Sequence, residues 1–195
     1  MKIIVLTGMP ASGKSTLAAK LSKAFAYPVL EKDALKEELF DTLGFENYAQ
    51  KRKLDHAANA VLLKCAEGLL QNENPMILDN NFDTEAAKRL EEMLEQYQTG
   101  CVTVFLGGDA DVFYQRYVER DNLHKRHLGH VLQDHYPPHE GDCLDYEMKR
   151  EEFREKFEKR GMSSVKIAGD RIDVDATYPE QIDVDALIRN IQELL

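Results

Sequence analysis

GMPASGKST, Gly8 to Thr16, follows directly on the apolar run IIVLT, Ile3 to Thr7. The small residues Ala11, Ser12 and Gly13 stand where a strand should turn into a helix, and Lys14 comes straight after them. The stretch fits G-x-x-x-x-G-K-[ST] at each fixed position: Gly8, Gly13, Lys14 and Ser15. A helix N-terminus offers unpaired N–H groups and the positive end of the helix dipole. Phosphate oxygens reach those N–H groups only where side chains stay away, which glycine and other small residues allow. Gly8, Ala11, Ser12 and Gly13 therefore read as a phosphate cradle. Lys14 is expected to reach the β- and γ-phosphates of a nucleoside triphosphate, Ser15 to ligate Mg²⁺, and Thr16 to sit near the α-phosphate.

Around this motif the chain has 195 residues, 43% hydrophobic and 31% charged, the balance of a soluble globular domain. One domain over 1–195 is expected, long enough to bury a substantial core. The formal net charge of -10 argues against a long nucleic-acid track without excluding a local basic groove. Cys65, Cys101 and Cys143 are odd in number and widely spaced, so reduced thiols fit better than a disulfide framework. The first apolar run is too short for a signal-peptide core or a membrane span. A cytoplasmic protein is expected.

Apolar runs at 3–6, 75–78 and 101–106 read as strands buried on both faces, with weaker candidates at 27–30 and 171–176. Helical patterns lie between them, at 14–26, 34–43, 48–70, 84–98, 109–120, 145–160 and 183–194, with Asp83 placed to cap one. Strands alternating with helices imply an α/β, doubly wound domain with right-handed crossovers. The stretch Asp121 to Asp142 breaks the pattern. It holds five of the six histidines and Pro137-Pro138, and reads as a loop or short-helix insert.

In such a sheet ligands gather at the carboxyl ends of the strands. The second strand runs into YPVLEKD, so Asp33 is the candidate base or orienting group for an acceptor hydroxyl, or a helix N-cap; Glu31 and Lys32 are weaker candidates. The third strand runs into Asp79, an apolar strand ending in Asp as in a Walker B, suited to Mg²⁺. Asn80 and Asn81 follow as substrate-side donors and acceptors, or as turn residues. Arg116, Arg120 and Arg126 lie on the next helix and at the entrance to the insert. They are candidates to bind nucleotide and to neutralise charge on the moving phosphoryl group from a closing lid, about 120–143, or to pair with Glu119 and Asp121 on a solvated face. His124, His127, His130, His135 and His139 match no metal-ligand spacing, and Cys143 alone does not complete one.

These residues together — GMPASGKST, the Asp33 strand end, LDNNF and the KRHLGH insert — resemble the P-loop kinases of the nucleoside-monophosphate-kinase-like group. More narrowly, the chain resembles the AAA_33 type, whose relatives include polynucleotide 5′-hydroxyl kinase domains, chloramphenicol phosphotransferase and zeta toxins. The resemblance spans the chain, and its specific part is the P-loop. It implies a five-stranded parallel sheet in the order 2-3-1-4-5, a lid after the fourth strand, and ATP with Mg²⁺ as donor. It also implies that Asp33 activates the acceptor hydroxyl and that Arg126 or Arg120 is the lid arginine.

Polynucleotide kinases surround the acceptor with basic residues, whereas the acceptor-side segment here mixes Lys51, Arg52 and Lys53 with several acids. Those three residues suit either an acceptor phosphate or a solvated helix face. Phe45, Tyr48 and His56 suit either stacking on a ring or core packing. The leading expectation is an ATP- and Mg²⁺-dependent phosphotransferase acting on a hydroxyl of a small-molecule or nucleoside-like acceptor. A polynucleotide or RNA 5′-hydroxyl kinase is the first alternative, a nucleotide-dependent switch the second. A nucleic-acid end is disfavoured by the net charge, and no membrane partner is expected.

Overall fold

The computed structural model describes residues 2–123, 125–142, 144, 148–159, 161–162 and 165–195. The elements run β1 (Lys2–Gly8), α1 (Lys14–Phe25), β2 (Val29–Glu31), α2 (Lys32–Leu43), α3 (Tyr48–Leu70), β3 (Ile77–Asp79) and α4 (Thr84–Gln96). They continue with β4 (Gly100–Gly107), α5 (Ala110–Asn122), α6 (Leu128–Val131), α7 (Arg150–Lys159), β5 (Asp170–Asp175), a 3₁₀ turn at Pro179–Gln181 and α8 (Val184–Leu194). The strands form one parallel sheet in the order β2-β3-β1-β4-β5.

Period-two alternation in β1 divides the core between the two faces of the sheet. Ile4 and Leu6 point to one face, where they meet Leu17 and Leu21 of α1, Phe113 of α5, Phe153 of α7 and Ile191 of α8. Ile3 and Val5 point to the other, against Leu63 and Ala66 of α3 and Leu90 and Met93 of α4. Each large side chain buried in this way contributes about 1.5–3 kcal/mol. Helix starts follow side-chain caps: Asn47 accepts from the Gln50 N–H, Asp83 from Ala86, and Asp183 from Ala186.

Several boundaries differ from the sequence expectation for identifiable reasons. Pro28 has no N–H; it contributes only its carbonyl, which accepts from Ile77 N at 2.9 Å, and β2 begins at Val29. The helix expected from 145 is described from Arg150, where the Glu152 carboxylate takes the Lys149 N–H. Asp145 and Arg160, the ends of that expectation, lie outside the described residues. Asp33 is neither a strand end nor an N-cap. β2 stops at Glu31, which occupies the cap position, and Asp33 lies in the first turn of α2.

The histidine-rich insert is docked rather than standing free. Leu132 packs with Phe40 and Phe45 in a third apolar cluster, and Tyr136 pairs with Phe45 in an antiparallel bridge. His127 Nε2 lies 2.9 Å from Asp41, and His130 Nε2 lies 2.9 Å from Glu37. The insert thus forms a wall over α2 and α3 beside the carboxyl ends of the strands.

Candidate active site

Residues 8–13 carry the chain from β1 into α1. Gly8 has φ 132° and passes so close to β4 that a Cβ would stand 2.2 Å from the Leu106 carbonyl oxygen. Met9 N donates to that carbonyl at 3.1 Å and anchors the loop to the sheet. Ala11 and Gly13, at φ 58° and 90°, take left-handed conformations that turn successive N–H groups to one side. A left-handed alanine is strained, a condition that clusters at functional sites. Lys14 is buried, with Nζ donating to Met9 O at 2.9 Å. Desolvation lowers its pKa to about 8, against the opposing pull of Asp79 and Asp33.

The parallel register sets Glu31 beside Asp79, and Asp79 beside Leu6. α1 brings Ser15 to the same point. Its Oγ lies 2.8 Å from Glu31 Oε1 and 2.9 Å from Asp79 Oδ2. Burial raises the Asp79 pKa to about 6, while Lys14 and the Ser15 hydrogen bond pull it down. Hydroxyl and carboxylate oxygens at one point are the hard donors that suit Mg²⁺.

A cavity of about 360 Å³ opens between this cluster and the loop, bordered by Thr16, Asp33, Arg116, Arg120 and Arg126. Arg116 spends its guanidinium on backbone, donating to Ala176 O at 3.1 Å and to Thr177 O. Arg120 and Arg126 stack over Tyr117 and share the fully buried Asp121, at 3.4 and 3.9 Å. They are therefore not a solvated face. The second nitrogen of Arg126 lies 3.6 Å from Asp33. Among the described residues, buried Arg120 Nη2 and the buried Ser12 hydroxyl have no hydrogen-bond partner. Arg120 borders the cavity, and its orphaned donor there fits a polyphosphate, which brings acceptors.

Asp33 is 42% exposed on the cavity surface. Desolvation pushes its pKa up, but the cationic neighbours win and hold it well below the usual carboxylate range. His130 adds its charge at the acid pH where Asp33 titrates; Arg126, Lys32 and Lys36 act at neutral pH. Asp33 is thus an acceptor of hydrogen bonds more than a strong base.

A second cavity, about 110 Å³, adjoins the first and shares Lys32, Asp33, Asn80, Asn81 and Arg126 with it. Asn80 is oriented by Asn59 of α3, its Nδ2 3.0 Å from Asn59 Oδ1. Asn81 Oδ1 is buried without a hydrogen-bond partner among the described residues. On the far side, Asp55 of α3 gathers Lys32, Lys36 at 2.9 Å and Arg52 at 3.5 Å. Lys51 is buried, donating to the His130 and Leu132 carbonyls. The Lys51–Lys53 run is therefore split between the cavity and an exposed Lys53. Phe45 packs in the core, Tyr48 borders the second cavity, and His56 is exposed beyond it.

The contact of Glu31 with Ser15, and the places of Lys36 and Asp55 at the second cavity, are not expected from sequence. One signal was present. Lys51 and Asp55 lie in register with the buried stripe of α3, Ala58, Leu62 and Ala66. Charged residues on an apolar stripe mark a polar site. Among the histidines, His135, His139 and Asp142 each offer an atom within 4.8 Å of the others, a grouping the linear spacing did not suggest. His124 and Cys143 lie outside the described residues.

The family model AAA_33, described as an AAA domain, matches residues 3–137. A shikimate kinase of Clostridium botulinum is 33% identical over 110 residues, covering 49% of this chain and 65% of that protein. An L-seryl-tRNA(Sec) kinase of Methanococcus maripaludis is 23% identical over 198 residues, covering 98% of this chain. The chain spans just under two thirds, 65%, of the length of either relative. The crystal structure of a protein assigned as a kinase from Chloroflexus aurantiacus j-10-fl is similar at TM-score 0.82 and 26% identity, over 100% of this chain and 98% of that one. A gluconokinase from Sinorhizobium meliloti 1021 shares the fold at TM-score 0.54 and 17% identity, over 99% of this chain and 91% of that one. No helix among the described residues is long and apolar enough to cross a membrane.

Proposed function

Starting from the fact that the chain belongs to the AAA_33 family of AAA domains, we propose that it is an ATP-dependent phosphotransferase moving the γ-phosphate to an acceptor hydroxyl. The observation that carries this reading is the pair of adjoining cavities with Asp33, Asn80, Asn81 and Arg126 on their common rim. A nucleotide switch needs the first cavity and has no use for the second.

The loop amides and Lys14 hold the β- and γ-phosphates, with Thr16 near the α-phosphate. Lys14 exchanges its loop carbonyl for phosphate oxygens. Ser15, with Glu31 and Asp79 behind it, would hold Mg²⁺, which would supply positive charge against the phosphates. Arg120 offers its unused Nη2 to the moving phosphoryl group, and Arg126 leaves Asp33 for it. Asp33 accepts the hydrogen bond of the acceptor hydroxyl and aims its oxygen at phosphorus. A new P–O bond forms to that oxygen as the bond to the bridging oxygen breaks. The electron pair leaves with ADP, and the hydroxyl proton passes by way of Asp33 to water. A loose transition state lets this proton leave late, so a weakly basic carboxylate suffices.

The test is transfer of label from γ-labelled ATP with Mg²⁺ to a panel of sugars, hydroxy acids, nucleosides and 5′-hydroxyl oligonucleotides. Label on a hydroxyl compound is expected. Release of free phosphate at a rate unmoved by every acceptor and by Asp33→Asn would overturn the reading in favour of the switch.

A further inference from the structure

The lining of the second cavity is cationic in a protein whose net charge is -10. It carries Lys32, Lys36, Lys51, Arg52, Arg126 and Lys156 against the two carboxylates Asp33 and Asp55. Asp55 is already engaged by three of these cations. Lys51 is 7% exposed, and among the described residues no carboxylate pairs with it; two carbonyls take two of its three donors. His130 does not add to the positive charge near neutral pH, because burial lowers its pKa to about 4.

Resting on the phosphotransferase reading, we propose that the acceptor is a small hydroxylated molecule bearing a carboxylate or phosphate group. Its anion is held by Lys51, Lys36, Arg52 and Lys156 while its hydroxyl meets Asp33 on the rim shared with the nucleotide. Cations concentrated in a cleft with low-dielectric walls raise the local potential and draw in an anion. The Arg52 guanidinium suits the planar fork of a carboxylate or the oxygens of a phosphate. Burial first, and then the charges of Lys36, Lys156 and Arg126, lower the Lys51 pKa to about 7, and an anion bound beside it would raise it. Tyr117, Phe157 and Met162 give the same cavity an apolar side for a short carbon skeleton. Its 110 Å³, against 360 Å³ on the nucleotide side, suits an acceptor smaller than the donor. Side chains of α2, α3, α5, α6 and α7 all line it.

Calorimetric titration of the full chain, saturated with Mg²⁺ and a non-hydrolysable ATP analogue, tests this with glycerol, glycerate and glycerol phosphate. The three share a skeleton and differ in the anion. Saturable binding of glycerate or glycerol phosphate, without binding of glycerol, is expected, and the one that binds identifies the anion. Lys51→Met should weaken that binding about tenfold or more, the value of one charge-assisted hydrogen bond. Because Lys51 also supports α6, Arg52→Gln on the half-exposed rim is the second variant, expected to weaken anion binding in the same direction. Affinity for the ATP analogue should not move in either. Glycerol binding as well as the anions, no binding of either anion, or anion binding unmoved in both variants would overturn the proposal. So would displacement of the bound anion by a 5′-hydroxyl oligonucleotide of higher affinity. Failure of the ATP analogue itself to bind would instead sink the phosphotransferase reading.

Discussion

The phosphate loop and the cationic cavity share a rim but are assembled in opposite ways. The loop draws on consecutive residues, Gly8 to Thr16, and on the proposed reading would recognise its ligand through backbone amides. The cavity draws on Lys36 from α2, Lys51 and Asp55 from α3, Arg126 and His130 from the insert, and Lys156 from α7. Backbone recognition needs only a fixed local conformation. Side-chain recognition by dispersed residues needs the whole fold, and it can be altered one residue at a time without disturbing the phosphate site. In the proposed kinase the difference would separate what is common to nucleotide-binding domains from what selects an acceptor.

The largest expected effect tests whether the two regions are separable. Asp33→Asn keeps the shape of the rim and removes the charge that the proposed mechanism uses to orient the hydroxyl. Phosphate transfer should fall by on the order of 10²–10⁴ with ATP affinity nearly unchanged. A parallel loss of ATP affinity would show that the regions are one site.

Asp55→Asn probes the cavity alone. It leaves Lys32, Lys36 and Arg52 without their shared counter-ion and should cost about 3 kcal/mol of stability at neutral pH, read from denaturant melts. Burial pushes the Asp55 pKa up, but the Lys32 and Lys36 charges overcome it and hold it below the ordinary aspartate value of 3.8. Its stabilisation is therefore complete above that value and lost as pH falls below it. The gap between wild type and Asp55→Asn should narrow below about pH 4. A gap that stays constant into acid would remove the ion pairs from the account.

Asp79→Asn gives a smaller effect of opposite sign. Burial raises the Asp79 pKa from 3.8 to about 6, so folding favours its protonated form. Its destabilising charge develops as pH rises from 3.8 through 6. Asp79→Asn should thus raise the melting temperature of the metal-free protein at pH 7, with the gain fading toward pH 4, while weakening Mg²⁺-dependent transfer. A melting temperature that drops would make Asp79 structural.

Legibility in the sequence follows the same division. The P-loop and the span of α3, Tyr48–Leu70, are local patterns and were readable as such. Strand pairing is long-range, and its order came from family likeness, not from periodicity. The run YPVLEKD places Asp33 at a strand end, yet α2 starts as early as Lys32. The contact of Glu31 with Ser15 is not legible locally, since it depends on a register with Asp79 set across the sheet. Lys36 and Asp55 look like ordinary helix-surface charges until α2 is packed on α3.

The close approach of Gly8 to β4 changes how a survey of random substitutions in this motif would read. Gly8 and Gly13 would both score as intolerant, and the scores alone would credit both to the nucleotide. Yet a side chain at Gly8 collides with the Leu106 carbonyl, whereas one at Gly13 meets nothing within 4 Å and suffers only the strain of φ 90°. Abundance of folded protein in the cell would separate them: variants at Gly8 disappear, and variants at Gly13 accumulate as intact but inactive chains. One glycine of the motif would then belong to the architecture and the other, on the proposed reading, to the nucleotide.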